Sequence, residues 1–234
     1  MSDLTLLYYT ANRISQHFAM AVRQALMDTT RGLYPIVSVS HKPLTFGENI
    51  CVGDPPPSIW QVYVNILIGA KAARTPYVAC CEDDSLYVAE HFAHRPALDT
   101  VAYNSNRWVI TRRLSADGKR REPFYYWRQR TQMAQCIAPR ALLIETLEAR
   151  FAKYPEPVPH QVAKKSGWGE PGRYERNLGL PPVKLTHFRT HQPNITFNHS
   201  ESLMGRRRVN PDDLLTDVLE PWGDAVSLWE RVHG

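Results

Sequence analysis

No apolar run in this sequence approaches the roughly 20 residues that a helix needs to cross a bilayer, so no membrane partner is expected. The opening Met1-Ser2-Asp3-Leu4 carries neither a basic stretch nor a small-residue cleavage site. It predicts a soluble, cytoplasmic protein, in the host cytoplasm if a phage encodes it. Cysteine is sparse. The four, at positions 51, 80, 81 and 136, show no Cys-x-x-Cys spacing and are read as reduced, buried thiols, with Cys80 and Cys81 pointing to opposite faces of one strand. No internal repeat is visible. At 234 residues, 43% of them hydrophobic, the chain suits one core and a small annex better than two independent domains.

Acids are scarce in the middle of the chain. Residues 1–100 hold 7 Lys/Arg and 9 acids, residues 101–208 hold 20 and 8, and residues 209–234 hold 1 and 6. The net +5 therefore conceals a strongly cationic central block. Such a block either solvates a surface or meets an anionic macromolecule, nucleic acid first.

The run Leu4-Thr5-Leu6-Leu7-Tyr8-Tyr9-Thr10 is strand-like. A helix capped by Asn12 is expected behind it, with Ile14, Phe18, Ala21, Val22, Ala25 and Leu26 on one face as far as Arg31-Gly32. A second strand at residues 36–40 leads through a Gly- and Pro-rich loop to Asp54-Pro55-Pro56-Pro57. Ser58 then begins a helix striped by Ile59, Val62, Tyr63, Ile66, Leu67 and Ala70. Residues 77–81 follow as a buried strand. This β-α-β-α-β order predicts an α/β fold with parallel strands, whose ends at Thr10, Ser40 and Cys81 share one sheet edge and one crevice.

Beyond residue 100 the pattern loosens. Strands are predicted at 101–104, 108–111 and 124–127, the last two as a hairpin turning at 116–119. A helix from Pro139 to Phe151, a Gly-rich loop at 166–172, a last strand at 194–198 and a terminal helix opened by Asn210-Pro211-Asp212-Asp213 complete the reading. His91 and His94 are taken as surface residues. His187 and His191 have the spacing of a zinc-binding helix, but Phe188 stands where zinc peptidases carry a Glu.

Three acids, Glu82-Asp83-Asp84, close the 77–81 strand. Carboxylates placed together repel one another and lose hydration unless a cation joins them, and a hard divalent metal bound to substrate phosphate meets that need. A cap and first turn for a helix at 86–92 would use one acid, not three.

The nucleotide-binding half sheet, the triplet Glu82-Asp83-Asp84, the 58–73 helix before it and His199 after a late short strand together resemble the GT-A class of nucleotide-sugar-dependent glycosyltransferases. The resemblance implies one GT-A-like domain. Residues 1–100 would form a Rossmann-type nucleotide-binding half with parallel strands, and residues 101–234 a mixed, partly antiparallel acceptor-binding half. It implies Mn²⁺ or Mg²⁺, bound by Asp84 and completed by His199, with Glu82 on the ribose or on a metal-bound water and Asp83 as a further catalytic carboxylate. The family's commonest form is Asp-x-Asp, so the division of roles among the three stays open.

The resemblance also implies a UDP-linked sugar nucleotide as donor. Its contacts should come from the crevice loops, with Thr10, Asn12 and Arg13 after the first strand, His41 and Lys42 after the second, and Ser58 and Gln61 at the helix start. Glu170 and Glu175, in the 169–175 loop, are the candidates for deprotonating an acceptor, although either could instead pair with Arg173 or Arg176. Without a base, a retaining mechanism is expected.

The cationic block interleaves Arg112, Arg113, Arg120 and Arg128 with Phe124-Tyr125-Tyr126-Trp127, and Arg206-Arg207-Arg208 follow later. Guanidinium groups with aromatic neighbours suit phosphate contact beside an exposed base. The 193–206 segment is also similar to the ends of phage-type glycosyltransferases that decorate hydroxymethylated pyrimidines in DNA, which implies DNA, as a duplex with a modified pyrimidine, as acceptor partner. Bacterial surface glycans are the competing acceptor. A metal-dependent nuclease or phosphotransferase would also join acids to a basic groove, but haloacid-type phosphatases need an Asp after the first strand, where this chain has Thr10-Ala11-Asn12. A non-enzymatic nucleic-acid-binding module has no use for buried acids.

Overall fold

The computed structural model describes residues 2–112, 119, 122–128, 130–157, 169–201, 209–210 and 213–234. Arg113, Arg120, Arg206, Arg207 and Arg208 lie outside the described residues. In chain order the first elements are β1 (Leu4–Thr10), α1 (Gln16–Thr30), β2 (Ile36–Ser40), β3 (Glu48–Cys51), α2 (Ile59–Ala72), β4 (Tyr77–Glu82) and β5 (Ser85–Leu86). β6 (Thr100–Asn104), β7 (Arg107–Thr111), β8 (Phe124–Trp127), β9 (Cys136–Pro139) and α3 (Arg140–Lys153) follow. Then come β10 (Lys184–Phe188), β11 (Asn194–Asn198), the short β12 (Leu215–Thr216), β13 (Val218–Leu219) and β14 (Gly223–Asp224), and α4 (Ala225–His233). No helix among the described residues is long and apolar enough to cross a membrane.

The main sheet has the order β10-β6-β9-β4-β1-β2-β3. β9 runs antiparallel between β4 and β6, and the remaining neighbours are parallel. The expected α/β class, with parallel strands first and a mixed arrangement after them, is thus what the chain adopts. Every residue of β1 is buried because both faces of the sheet are covered, which explains its unbroken apolar run. Leu7, Tyr9 and Cys80 pack with α2 and α3 on one side, while Leu6, Tyr8 and Cys81 pack with Phe92 and Ile137 on the other. Gly69 lets α2 lie close on the strands, since a Cβ there would fall 2.9 Å from Leu7 Cγ. A second sheet, β12-β8-β7-β11-β5, contains the expected hairpin of β7 and β8. Its outer face, with Ile110, Tyr125 and Phe197, packs on Phe18 and Val22 of α1 and on Leu228 and Trp229 of α4.

Several expectations are corrected. α1 is capped by Ser15, whose Oγ accepts from Phe18 N at 3.2 Å, and not by Asn12, which takes a left-handed conformation with φ 52°. β3 forms where a loop was expected, and it leaves Cys51 exposed while the other three thiols are buried. β9 and β10 escaped notice because one is four residues long and the other is a half-exposed edge. β11 is not the last strand. The terminal helix starts at Ala225, where Asp224 Oδ1 accepts from Ser227 N at 2.9 Å, rather than at residues 210–213.

His91 is fully buried instead of exposed. Its ring stacks on Phe188, 5.6 Å between centroids, and Nδ1 lies 3.4 Å from Asn104 Nδ2. Burial pushes its pKa down to about 3. Between that value and the ordinary 6.5 the unfolded chain binds a proton that the folded one refuses, so stability falls as pH drops through this window. Denaturant titrations at pH 7 and pH 5 should show this residue alone costing about 2 kcal/mol at the lower pH. His91→Leu should flatten the pH dependence by that amount.

Candidate active site

The register of β1 with β4 sets Glu82 beside Tyr9. Tyr9 Oη donates to Glu82 Oε1 at 2.7 Å, and Gln132 Nε2 donates to Oε2 at 3.2 Å. The Thr10 hydroxyl donates to Asp83 Oδ2 and accepts from Asn12 N at 2.8 Å. The chain then reverses into β5, which pairs antiparallel with β11, and Phe197 N donates to the Asp84 carbonyl at 2.8 Å. That pairing delivers His199, one residue past β11, to an acid 115 positions earlier: His199 Nε2 and Asp84 Oδ2 are 3.3 Å apart. Glu201 Oε2 lies 3.3 Å from His199 Nδ1. Asp84 is only 9% exposed, and residues 85–86 are strand, so the acids are not a solvated turn capping a helix.

Burial raises the Glu82 pKa to about 8, with the Asp84 charge adding to it, while the hydrogen bonds from Tyr9 and Gln132 act the other way. Burial and Asp84 likewise raise Asp83 to about 6. Burial alone would lower His199, but the hydrogen bond and charge of Asp84 outweigh it and hold the imidazole above its ordinary value. Carboxylates crowded into a partly desolvated pocket resist ionisation, and an added cation reverses that resistance. Asp84 Oδ2 offers the oxygen donor that Mn²⁺ or Mg²⁺ takes with phosphate oxygens and water, and the imidazole of His199 beside it fits a transition ion such as Mn²⁺ better than Mg²⁺. Among the described residues no three His, Cys, Asp or Glu side chains converge as a ready-made ligand set, so a substrate phosphate would be part of such a site.

A crevice of about 340 Å³ opens at this edge. Thr10, Arg13, His41, Ser58 and Gln61 line it with the three acids and His199. Ser58 Oγ caps α2 by accepting from Gln61 N at 3.0 Å. His41 is buried with Nε2 3.4 Å from Asn65 Nδ2. Asn12 and Lys42 are not part of the lining. The Asn12 Oδ1 accepts from Lys42 N at 2.9 Å, tying the β1 and β2 loops together, and Lys42 is exposed.

Glu170 lines the crevice and pairs with Arg173 at 3.2 Å. Glu175 does not line it. Its carboxylate is buried against the Arg150 guanidinium, accepting from Nε at 3.1 Å, and it also accepts from Gly172 N at 2.7 Å. It therefore shapes the loop that brings Glu170 to the crevice and does not itself reach that crevice. Its partner, 25 positions upstream on α3, is neither of the neighbours expected from the sequence. Arg128 lines the crevice, whereas Arg112 is exposed outside it. Arg130, from the same basic stretch as Arg128, also lines the crevice, and Tyr9, Arg107, Gln132 and Glu201 belong to the lining as well and were not anticipated. Tyr9 was legible as the penultimate residue of β1, but nothing local marks Arg107 or Gln132.

The sequence matches no protein-family model and no curated protein. Among solved structures, a nucleotidyl transferase from Methanothermobacter thermautotroptrophicus is similar over 100% of this chain and 97% of its own, with 12% identity and a TM-score of 0.45. A glycosyltransferase involved in the glycosylation of the major capsid of PBCV-1 is similar over 83% of this chain and 93% of its own, with 8% identity and a TM-score of 0.46. S. aureus TarS is similar over 86% of this chain and 38% of its own, with 9% identity and a TM-score of 0.41.

Proposed function

We propose that the chain is a GT-A-type glycosyltransferase that moves a hexosyl or pentosyl group from a UDP-linked donor to a hydroxymethyl group on a pyrimidine of DNA, assisted by Mn²⁺ or Mg²⁺. The observation that carries the transferase reading is the meeting of Asp84 with His199 at the carboxyl edge of a mostly parallel sheet, where open α/β sheets bind their ligands. Thr10, Arg13 and the capped start of α2 face the same crevice. A helix N-terminus favours a phosphate there.

Asp84 and His199 would hold the metal, which when bound neutralises the charge that grows on the departing diphosphate. Glu82 is fixed by Tyr9 and Gln132 at the neighbouring position, suited to a ribose hydroxyl. Glu170, which also lines the crevice, would take the proton of the acceptor hydroxyl as that oxygen bonds to the anomeric carbon. The bond from that carbon to the phosphate oxygen breaks, and its electron pair leaves with the nucleoside diphosphate. The cationic centre of the sequence and the position of Arg128 inside the crevice support a DNA acceptor.

A panel of sugar nucleotides incubated with Mn²⁺ and hydroxymethylcytosine, hydroxymethyluracil or unmodified DNA, read by nucleoside mass, tests the proposal. A hexose or pentose increment confined to a hydroxymethylated base is expected. Sugar release without any increment would move the acceptor to a glycan. No release from any donor would remove the transferase reading itself.

A further inference from the structure

We infer that Glu201 is a positioning residue for His199: it holds the imidazole by Nδ1 and so keeps Nε2 turned toward Asp84 as a metal ligand. The inference rests on the metal-assisted transferase reading and adds to it a carboxylate that acts through another side chain. Glu201 Oε2 lies 3.3 Å from His199 Nδ1, and Nε2 lies 3.3 Å from Asp84 Oδ2. The two ring nitrogens thus face two different acids. A turn at residues 200–201, directly behind β11, folds Glu201 back beside the ring. Ser200 Oγ donates to Glu201 Oε1 at 2.6 Å, which steadies the carboxylate that Nδ1 meets. Just before the turn, Asn198 Nδ2 donates to Thr111 Oγ1 at 3.2 Å and pins the end of β11 to β7. Phe18 stands beside the imidazole, 6.0 Å between ring centroids.

An ionised carboxylate only accepts hydrogen bonds, so Nδ1 is the donor in its pair with Glu201. Nε2 is then the nitrogen that can give a lone pair to a cation held at Asp84. A carboxylate on the far nitrogen of a ligand histidine fixes the tautomer, keeps the ring from turning and makes the near nitrogen the stronger donor. Glu201 is placed for that role and not for binding the ion itself. It meets the edge of the ring away from Asp84, and among the described residues no three His, Cys, Asp or Glu side chains converge as a ligand set.

The test is the gain in UDP affinity that Mn²⁺ confers, measured by calorimetric titration with and without the ion. It is compared in the wild type, Glu201→Gln, Glu201→Leu, His199→Asn and the double variant His199→Asn with Glu201→Leu. Glu201 is exposed, so its variants should fold, and their affinity for UDP without the ion should not drop. Glu201→Leu should cut the gain by about tenfold, the lower end of what losing the carboxylate behind a ligand histidine costs. Glu201→Gln, whose amide oxygen can still accept from Nδ1, should keep the gain within about threefold of the wild type. The double variant should be no worse than His199→Asn alone, because the effect of Glu201 runs through the ring. An undiminished gain in Glu201→Leu would overturn the inference. So would a Gln variant as impaired as the Leu variant, or a further loss in the double variant, since either would mean that Glu201 acts by its own charge. A wild type whose UDP affinity ignores Mn²⁺ would overturn it together with the metal reading, while sugar release from a donor in the same preparation reports whether the transferase reading stands.

Discussion

Asp84→Asn should reduce sugar release from a nucleotide donor by at least about a hundredfold, a transition-state loss of roughly 3 kcal/mol. The amide keeps the shape of the carboxylate and can still accept from Ser85 Oγ, now at 3.1 Å. What disappears is the charge at the point where His199 meets the acid triplet. Folding should be nearly indifferent. Burial first and the Asp84 charge second raise the pKa values of Glu82 and Asp83, so neutralising Asp84 removes a repulsion that offsets the weakened contact with His199. A melting temperature within about 3 °C of wild type is expected, equivalent to roughly 1 kcal/mol in a chain of this size. A variant that turned over normally would show that Asp84 has no part in the chemistry. One that unfolded would show that the acid is structural.

The largest stability effect should come from Arg150→Met. Arg150 is fully buried on α3, pairs with the buried Glu175, and donates from Nη1 to the Gly169 carbonyl at 2.6 Å. Removing it leaves the Glu175 charge and the Gly169 carbonyl without their partner, at a cost of about 3–5 kcal/mol. At about 2–4 °C per kcal/mol the melting temperature should fall by roughly 6–20 °C. The double variant Arg150→Met with Glu175→Leu should recover part of this by removing the stranded charge. It should not recover all of it, because Gly172 N also loses its acceptor on Glu175. Sugar transfer should fall with stability in both, since this pair holds the loop that carries Glu170 to the crevice. A loss under about 1 kcal/mol in urea titrations would mean that the pair is open to solvent.

The first half of the site was legible because its cues are local. β1 and β4 announce themselves as apolar runs with both faces covered, Ser58 as a cap before a striped helix, and the triplet as charge where a buried strand ends. Parallel order followed from the alternation of strand and helix, and it put Thr10, Ser40 and the acids on one edge. The rest depends on long-range pairing. β5 is two residues long, yet its ladder with β11 is what brings His199 to Asp84. No period or cap in either segment specifies that contact, so the late histidine could be suspected only from a family likeness. Glu175 was assigned to substrate because its partner sits far upstream on another element. Asn12 looked like a cap by residue type, but the cap fell three positions later, and its side chain went to joining two loops. His91 was misplaced because a histidine near acids reads as polar, while Phe188 and Asn104, which enclose it, come from other strands.

Calorimetric titration of UDP with and without Mn²⁺ tests the central claim most directly, because it asks whether the acid cluster and a diphosphate hold a cation together. Wild type should bind UDP at least about tenfold more tightly with the ion, and Asp84→Asn should lose that difference. Equal affinity with and without the ion in the wild type, or no binding in either case, would contradict the account.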